Sequence, residues 1–296
     1  MLKCSILLLP CVAAMVLTML SGCASGTGSS WLGAQKGPQW RLGMQAYTFH
    51  KFTFFEAVDK THALGLKYIE AFPGQTLSKE TGAVKFDHAM SKETMASVKA
   101  KLASTGITLV NYGVVDLGKD EASARKVFDF AKAMGIETIV AEPDPATFDM
   151  LDKLTKEYGI RVAIHNHPKP SKYWDPQAVL DAVRGRSDRI GACADTGHWP
   201  RSGINPVDAL RKLDGRIVSL HFKDLNELNK RDAHDVIWGT GKCDVRAMLA
   251  ELKRQKFSGV FSIEYEHNWE NSMPEIAECI KAFRTMAREL GVQSVE

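Results

Sequence analysis

Cysteine is scarce in this chain, and its spacing implies no disulfide framework. Of six cysteines, Cys4 and Cys11 sit in an N-terminal apolar stretch and Cys23 closes it. Cys193, Cys243 and Cys279 remain, an odd number at irregular spacing, which excludes a disulfide framework. An excess of one charge is also missing. Lys and Arg number 38 against 35 Asp and Glu, for a net charge of +3, and the two signs are interspersed, so there is no electrostatic footprint for nucleic acid. The apolar run Ile6 to Leu20 is short for a membrane span of ~20 residues. A glycine cradle for phosphates is weakly signalled at best. Gly239-Thr240-Gly241 stands just before a helix cap at Asp244 and reads as a turn, so no nucleotide cofactor is expected.

What is present begins with an address. Lys3 supplies a positive start, Ile6 to Leu20 an apolar core, and Leu20-Ser21-Gly22-Cys23 the small-residue site ending in Cys that a bacterial lipobox requires. Residues 1–22 are therefore expected to be a lipoprotein signal peptide, with an uncleaved anchor as the alternative. Loss of Lys3 with that peptide takes the net charge from +3 to +2. More than one acyl chain on Cys23 makes anchoring stable, so an exported lipoprotein facing the periplasm or cell exterior is expected, touching membrane only through that lipid. Residues 23–38 are Gly/Ser-rich and read as a flexible tether.

Beyond the tether one unit repeats. Amphipathic helices close on Gly65, Gly106, Gly135, Gly159, Gly185, Gly215, Gly259 and Gly291, each placed where a left-handed residue stops a helix. Short β-branched runs follow: LKYIEAF, ITLVNYGVV, IETIVAEP, IRVAIHNH, RIGACAD, RIVSLHF and VFSIEYE. The first strand, RLGMQAYTF, and the last helix, Pro274 to Leu290, complete eight strand-helix pairs. Strands apolar on both faces that alternate with helices demand a parallel sheet. Eight units without a leftover strand predict an α/β fold, a closed (β/α)8 TIM barrel over 39–292, ahead of an open doubly wound sheet.

Closure gives the strand ends a meaning, because carboxyl ends of barrel strands line the catalytic face. Glu70, Glu142, His165 with His167, Asp195 with His198, His221 with Asp224, and Glu264 with Glu266 all fall there. Acids and imidazoles that recur at one barrel mouth point to a metal site. His165 and His167 are two apart, so their rings point the same way and Asn166 the other.

At these residues the chain resembles the xylose isomerase-like TIM barrels, a superfamily of sugar isomerases and epimerases that also holds abasic-site endonucleases. The motifs are the Asp-x-x-His of ADTGH, the His of SLHFKD and the Glu of SIEYE, and the likeness spans Leu42 to Leu290. It implies a divalent metal held by Asp195, His221 and Glu264. The family's fourth ligand is usually a Glu on strand five, where this chain has His165. Glu142 on strand four is the expected substitute, with His165 the alternative. Three carboxylates and one imidazole form a hard site suited to Mn2+, Mg2+, Co2+ or Fe2+, and one that also admits Zn2+.

The resemblance further implies a Lewis acid that stabilises the enediolate formed when a proton leaves the carbon beside a sugar carbonyl. Family epimerases carry that proton on two Glu residues, of which only Glu264 is retained. His165 or His167 is therefore the expected base, with Lys223 near the developing oxyanion. Substrate contacts are expected from Glu70, His198, Trp199, His234, Asp235, Trp238 and Trp269, and Trp174 falls on the same side. Indoles there suit the apolar face of a sugar ring. The loops from Pro73 to His88 and after His221 are long enough for lids. The expected activity is isomerase or epimerase chemistry on a keto sugar or sugar derivative, with elimination by a 3-keto-glycoside lyase as its rival. From another class, a non-catalytic carbohydrate-binding lipoprotein would share the tryptophans. DNA cleavage is discounted, because strands two and three offer Glu70 and Asn111 where extra His ligands are needed.

Overall fold

The computed structural model describes residues 39–295, so the expected signal peptide, the lipidation site Cys23 and the tether lie outside the described residues. Eight parallel strands close into a barrel with helices around it: β1 (Gln39–Gln45), β2 (Tyr68–Ala71), β3 (Thr108–Tyr112), β4 (Thr138–Ala141), β5 (Arg161–His165), β6 (Ile190–Asp195), β7 (Ile217–Phe222) and β8 (Val260–Ile263). Each strand pairs with its neighbour in sequence, and β1 pairs with both β2 and β8 to complete the ring.

The repeat read from sequence is the repeat that folds. Helices α1 (Phe54–Ala63), α2 (Lys92–Thr105), α3 (Glu121–Met134), α4 (Phe148–Tyr158) and α5 (Pro176–Val183) precede β2 to β6 in turn. Two short helices, α6 (His198–Arg201) and α7 (Pro206–Lys212), precede β7, α8 (Val245–Arg254) precedes β8, and α9 (Met273–Glu289) closes the chain. Thr53 starts α1 with a capping box, its hydroxyl accepting from Glu56 N while the Glu56 carboxylate accepts from Thr53 N. Gly106, Gly135 and Gly159 end α2 to α4 in the left-handed conformation. Gly259 does not share that role. Lys256 takes the positive φ after α8, and Gly259 is needed for space, since a Cβ there would stand 2.5 Å from the Phe257 ring.

A ninth strand, β9 (Gln293–Val295), departs from the eightfold reading. Pairing of β1 with β8 begins only at Arg41 and with β2 at Gly43, so Gln39 and Trp40 project beyond the ring and present free backbone. β9 pairs in parallel with that overhang, Gln39 opposite Gln293.

Between barrel and helices the core is apolar and continuous. Trp40 is fully buried against Phe261 and Phe283, and its Nε1 donates to the Phe257 carbonyl at 3.0 Å. An indole of that size removes about 4–6 kcal/mol worth of apolar surface from water. Cys193, Cys243 and Cys279 are buried and unpaired, as their spacing implied. Val140, Ala163 and Cys193 lie two residues before Glu142, His165 and Asp195 and pack together as a small apolar floor.

Candidate active site

Four strands deliver the central side chains. His165 is the last residue of β5, Asp195 the last of β6, His221 lies near the end of β7, and Glu264 follows β8. One ligand atom from each lies within 4.8 Å of the others, and all four residues are buried. His165 Nε2 has no hydrogen-bond partner among the described residues, and Asp195 Oδ2 and His221 Nδ1 meet only the ion-pair partners Lys223 and Glu264. Buried polar atoms that face one point in this way suit a cation.

Hydrogen bonds behind the ring fix which lone pairs face inward. His165 Nδ1 lies 3.2 Å from Glu142 Oε1, and His221 Nε2 lies 2.9 Å from Glu70 Oε1. Donation to these carboxylates turns His165 Nε2 toward Asp195 and His221 Nδ1 toward Glu264 across the centre. Asp195 is aimed by backbone, its Oδ1 accepting from Gly197 N at 2.9 Å and His198 N at 2.8 Å. Asn166 locks β5 to β6, donating to the Asp195 carbonyl at 3.1 Å and accepting from Asp195 N at 2.9 Å.

Of the two candidates for a fourth ligand, His165 groups with Asp195, His221 and Glu264, and Glu142 stands behind it. Ala141 is level with Ile164, so Glu142 emerges beyond the end of β4. There it joins a second group with His165 and His167. Its Oε1 accepts from the His167 backbone N at 3.2 Å and from His167 Nδ1 at close range. Burial alone would raise the Glu142 carboxyl, but the bonds from His165 and His167 bring it down to about 2. The inner donor set is thus two imidazoles and two carboxylates.

Glu70 also changes place. It is fully buried and does not line the cavity; its carboxylate takes hydrogen bonds from His221, from Gln45 Nε2 at 3.0 Å, from Asn111 Nδ2 at 3.1 Å and from Ser262 Oγ at 2.6 Å. The shift of register between Ile69 and Glu70 in the β2–β3 pairing accompanies this inward placement. Trp199 and Trp238 are 1% and 2% exposed and fill the core, because α6 and the seventh loop fold back onto the barrel. His234 stacks on His267 with ring centroids 4.2 Å apart, and Asp235 is buried against Arg201 and the Glu266 backbone N. None of these four lines the cavity.

That cavity, of about 440 Å³, opens over the metal-competent group. Its walls include Gln45, Tyr47 and Phe72 together with His165, His167, His198, Glu264 and Glu266. Tyr47 meets Phe72 edge-on at 5.2 Å and Trp269 at 5.9 Å, so Trp269 supports the aromatic wall from behind. Burial foremost, with Lys223, His165 and Arg201 adding to it, pushes His198 well below the usual imidazole range despite Asp195. Its Nδ1 accepts from Arg201 Nη1 at 3.0 Å, which makes Nε2–H a donor. Lys223 is fully buried, 3.0 Å from Asp195 Oδ2, 2.8 Å from Glu264 Oε2 and 2.9 Å from Glu266 Oε2. Burial opposes its charge, but Asp195, Glu264 and Glu266 raise it well above the usual ammonium range.

Sequence reading missed Gln45, Tyr47, Phe72 and Arg201. Gln45 is the last residue of β1 and Phe72 follows β2 directly, so both fall under the strand-end rule once it is applied beyond acids and imidazoles. Arg201 follows His198 by three on one helical turn, a spacing that signals contact. In the seventh loop, Asp224 forms no ion pair with a basic side chain among the described residues. Its Oδ2 accepts from Gly239 N at 2.8 Å and Gly241 N at 2.9 Å, and its Oδ1 from Cys243 N at 3.0 Å.

The family model described as xylose isomerase-like TIM barrel matches residues 58–283. Inosose dehydratase of Lacticaseibacillus casei is 24% identical over 247 residues, which is 74% of this chain and 77% of the relative. A solved protein from Parabacteroides distasonis ATCC 8503 is 36% identical with a TM-score of 0.68, covering 83% of this chain and 98% of the other. The IOLI protein, solved with a binding zinc atom, is 19% identical with a TM-score of 0.63, over 84% of this chain and 99% of that one.

Proposed function

The chain belongs to the xylose isomerase-like TIM barrel family, and from that membership we propose a metal-dependent enzyme that removes the proton beside a ketone in a keto sugar or keto-glycoside and expels the substituent on the next carbon. The observation that carries this is one cavity that His165 and Glu264 line, above the buried group they form with Asp195 and His221, and that is walled by His167 held on Glu142. His165, Asp195, His221 and Glu264 would hold a divalent ion, which when bound would supply Lewis-acid stabilisation of a developing oxyanion. Two imidazoles beside two carboxylates favour Zn2+, Co2+ or Mn2+ over Mg2+.

His167 takes the proton. Its Nδ1–H is committed to Glu142, so Nε2 carries the free lone pair, and its half-exposed ring forms part of the cavity wall. The C–H electron pair moves into the enolate and then into the new double bond as the C–O bond to the leaving group breaks. His198, neutral and fixed as an Nε2–H donor, hydrogen-bonds the departing oxygen, which takes up the proton that His167 removed. Tyr47 and Phe72 offer an aromatic wall for the sugar ring.

Elimination is placed ahead of epimerisation because epimerisation needs a second proton carrier on the opposite face. Glu264 is what remains of the family's pair, and here it is engaged by His221 at 3.1 Å and Lys223 at 2.8 Å. The dehydratase name borne by the curated relatives supports the same branch. The lipobox at Leu20 to Cys23 supports an exported, lipid-anchored enzyme acting on free or glycosidic sugars.

Proton NMR in D2O, with Zn2+ or Mg2+ added, tests this on 3-keto-glycosides, inososes and ketohexoses. The expected result is metal-dependent loss of the α-proton signal with growth of an enone. In His167→Ala that exchange should fall by roughly 10²–10⁴-fold while metal content stays unchanged. Sugar binding with no exchange on any substrate would leave a binding lipoprotein in its place.

A further inference from the structure

A buried ammonium stands on the two oxygens that a metal would use. Lys223 Nζ lies 3.0 Å from Asp195 Oδ2 and 2.8 Å from Glu264 Oε2. Those oxygens complete the donor set: Asp195 Oδ2 is 3.6 Å from His165 Nε2, and Glu264 Oε2 is 3.1 Å from His221 Nδ1. A divalent ion and an ammonium cannot share them, because like charges a few ångströms apart inside a protein repel by several times the thermal energy.

The lysine has somewhere to retreat. Its third contact, a hydrogen bond to Glu266 Oε2 at 2.9 Å, lies outside the donor set. Glu266 is held there by Arg201 Nη1 at 2.6 Å, and its backbone N donates to Asp235 at 3.2 Å. Gly197 leaves a slot for the lysine stem, since a Cβ there would stand 2.7 Å from Lys223 Cδ.

Resting on the metal reading above, we propose that Lys223 is a resident counter-cation that an entering metal must push off Asp195 and Glu264 onto Glu266. The penalty is the same for every divalent ion. It therefore moves weakly held Mg2+ out of working range and leaves tightly held Zn2+ or Co2+ within it. Before metal arrives, the same ammonium keeps two buried carboxylates compensated.

The test is metal affinity on the full chain, stripped by a chelator and checked for folding by circular dichroism. Zn2+ is titrated against a chromophoric competitor and Mg2+ by calorimetry. Lys223→Met should bind Zn2+ tighter by about 5–150-fold and gain measurable Mg2+ binding. Lys223→Gln, closer in length and still polar, should move the same way. Glu266→Gln removes the retreat and should weaken Zn2+ in the wild-type background, with less than half that factor in Lys223→Met. Unchanged or weaker Zn2+ binding in both Lys223 variants overturns the proposal. So does an equal effect of Glu266→Gln in both backgrounds, which would mark it as plain charge. Failure of wild type and variants alike to take up any metal overturns the metal reading itself.

Discussion

Replacing Glu70 with Gln isolates the support behind the candidate metal centre from the centre itself. The carboxylate does not line the site cavity, yet it accepts from His221 Nε2 at 2.9 Å, Gln45 Nε2 at 3.0 Å, Asn111 Nδ2 at 3.1 Å and Ser262 Oγ at 2.6 Å. An amide of the same shape offers one acceptor atom and turns two donors toward neighbours that are themselves mostly donors. The Ser262 hydroxyl can rotate to accept, so about one buried donor loses its partner, at about 1–3 kcal/mol. For a domain of this size that lowers Tm by about 2–12 °C. His221 also loses the acceptor that fixes its ring and tautomer. Outer partners of this kind are worth roughly 10–100-fold in metal affinity, or about 1.4–2.8 kcal/mol. Competitive Zn2+ titration beside a thermal scan reads both quantities on one sample. A variant that loses Tm yet binds Zn2+ within threefold of wild type would refute the reasoning, leaving Glu70 a packing residue only.

Two further outcomes follow from burial. Trp199→Ala and Trp238→Ala should each lose about 3–5 kcal/mol in urea unfolding, because both indoles lie in the core, whereas Trp269→Ala should lose less than about 1 kcal/mol and raise KM through the Tyr47 wall. Asp235 is raised to about 8, mainly by burial, with Lys223 and Arg201 opposing. A folded pKa above the unfolded value of ~3.9 means that its contribution is whole below about pH 4 and is lost as pH rises through about 8. Asp235→Asn should therefore gain Tm relative to wild type as pH climbs from 5 to 9, and a constant difference over that range would contradict the assignment.

The barrel and much of its mouth were legible because both rest on periodicity. Glycine-closed helices alternate with doubly apolar strands, and this alone dictates a parallel ring. Asp195, His221 and Glu264 sit at strand ends, so they converge whatever the details. What sequence hides is depth. Glu70 and Glu142 look equivalent on paper, each an acid at the end of an apolar run. A register shift in β2 places one beneath His221, while the level of Ala141 with Ile164 places the other behind His165. Stagger between neighbouring strands is a property of the closed sheet, and no local pattern carries it. The tryptophans misled for a related reason: a loop residue is expected to meet solvent or substrate, but Trp199 and Trp238 belong to segments that fold back over the core.

Asp224 has consequences for how such a protein can change. One carboxylate next to Lys223 gathers Gly239, Gly241 and Cys243 and so ties both ends of the seventh loop together at its base. The exposed residues Glu227 to Asp232 between that knot's two ends can be exchanged without disturbing β7 or the start of α8, whereas Asp235 and Trp238 stay buried beneath them. The rim of the barrel can therefore vary in that stretch while the reacting groups stay where they are, as a lock accepts a new key plate on an unchanged bolt.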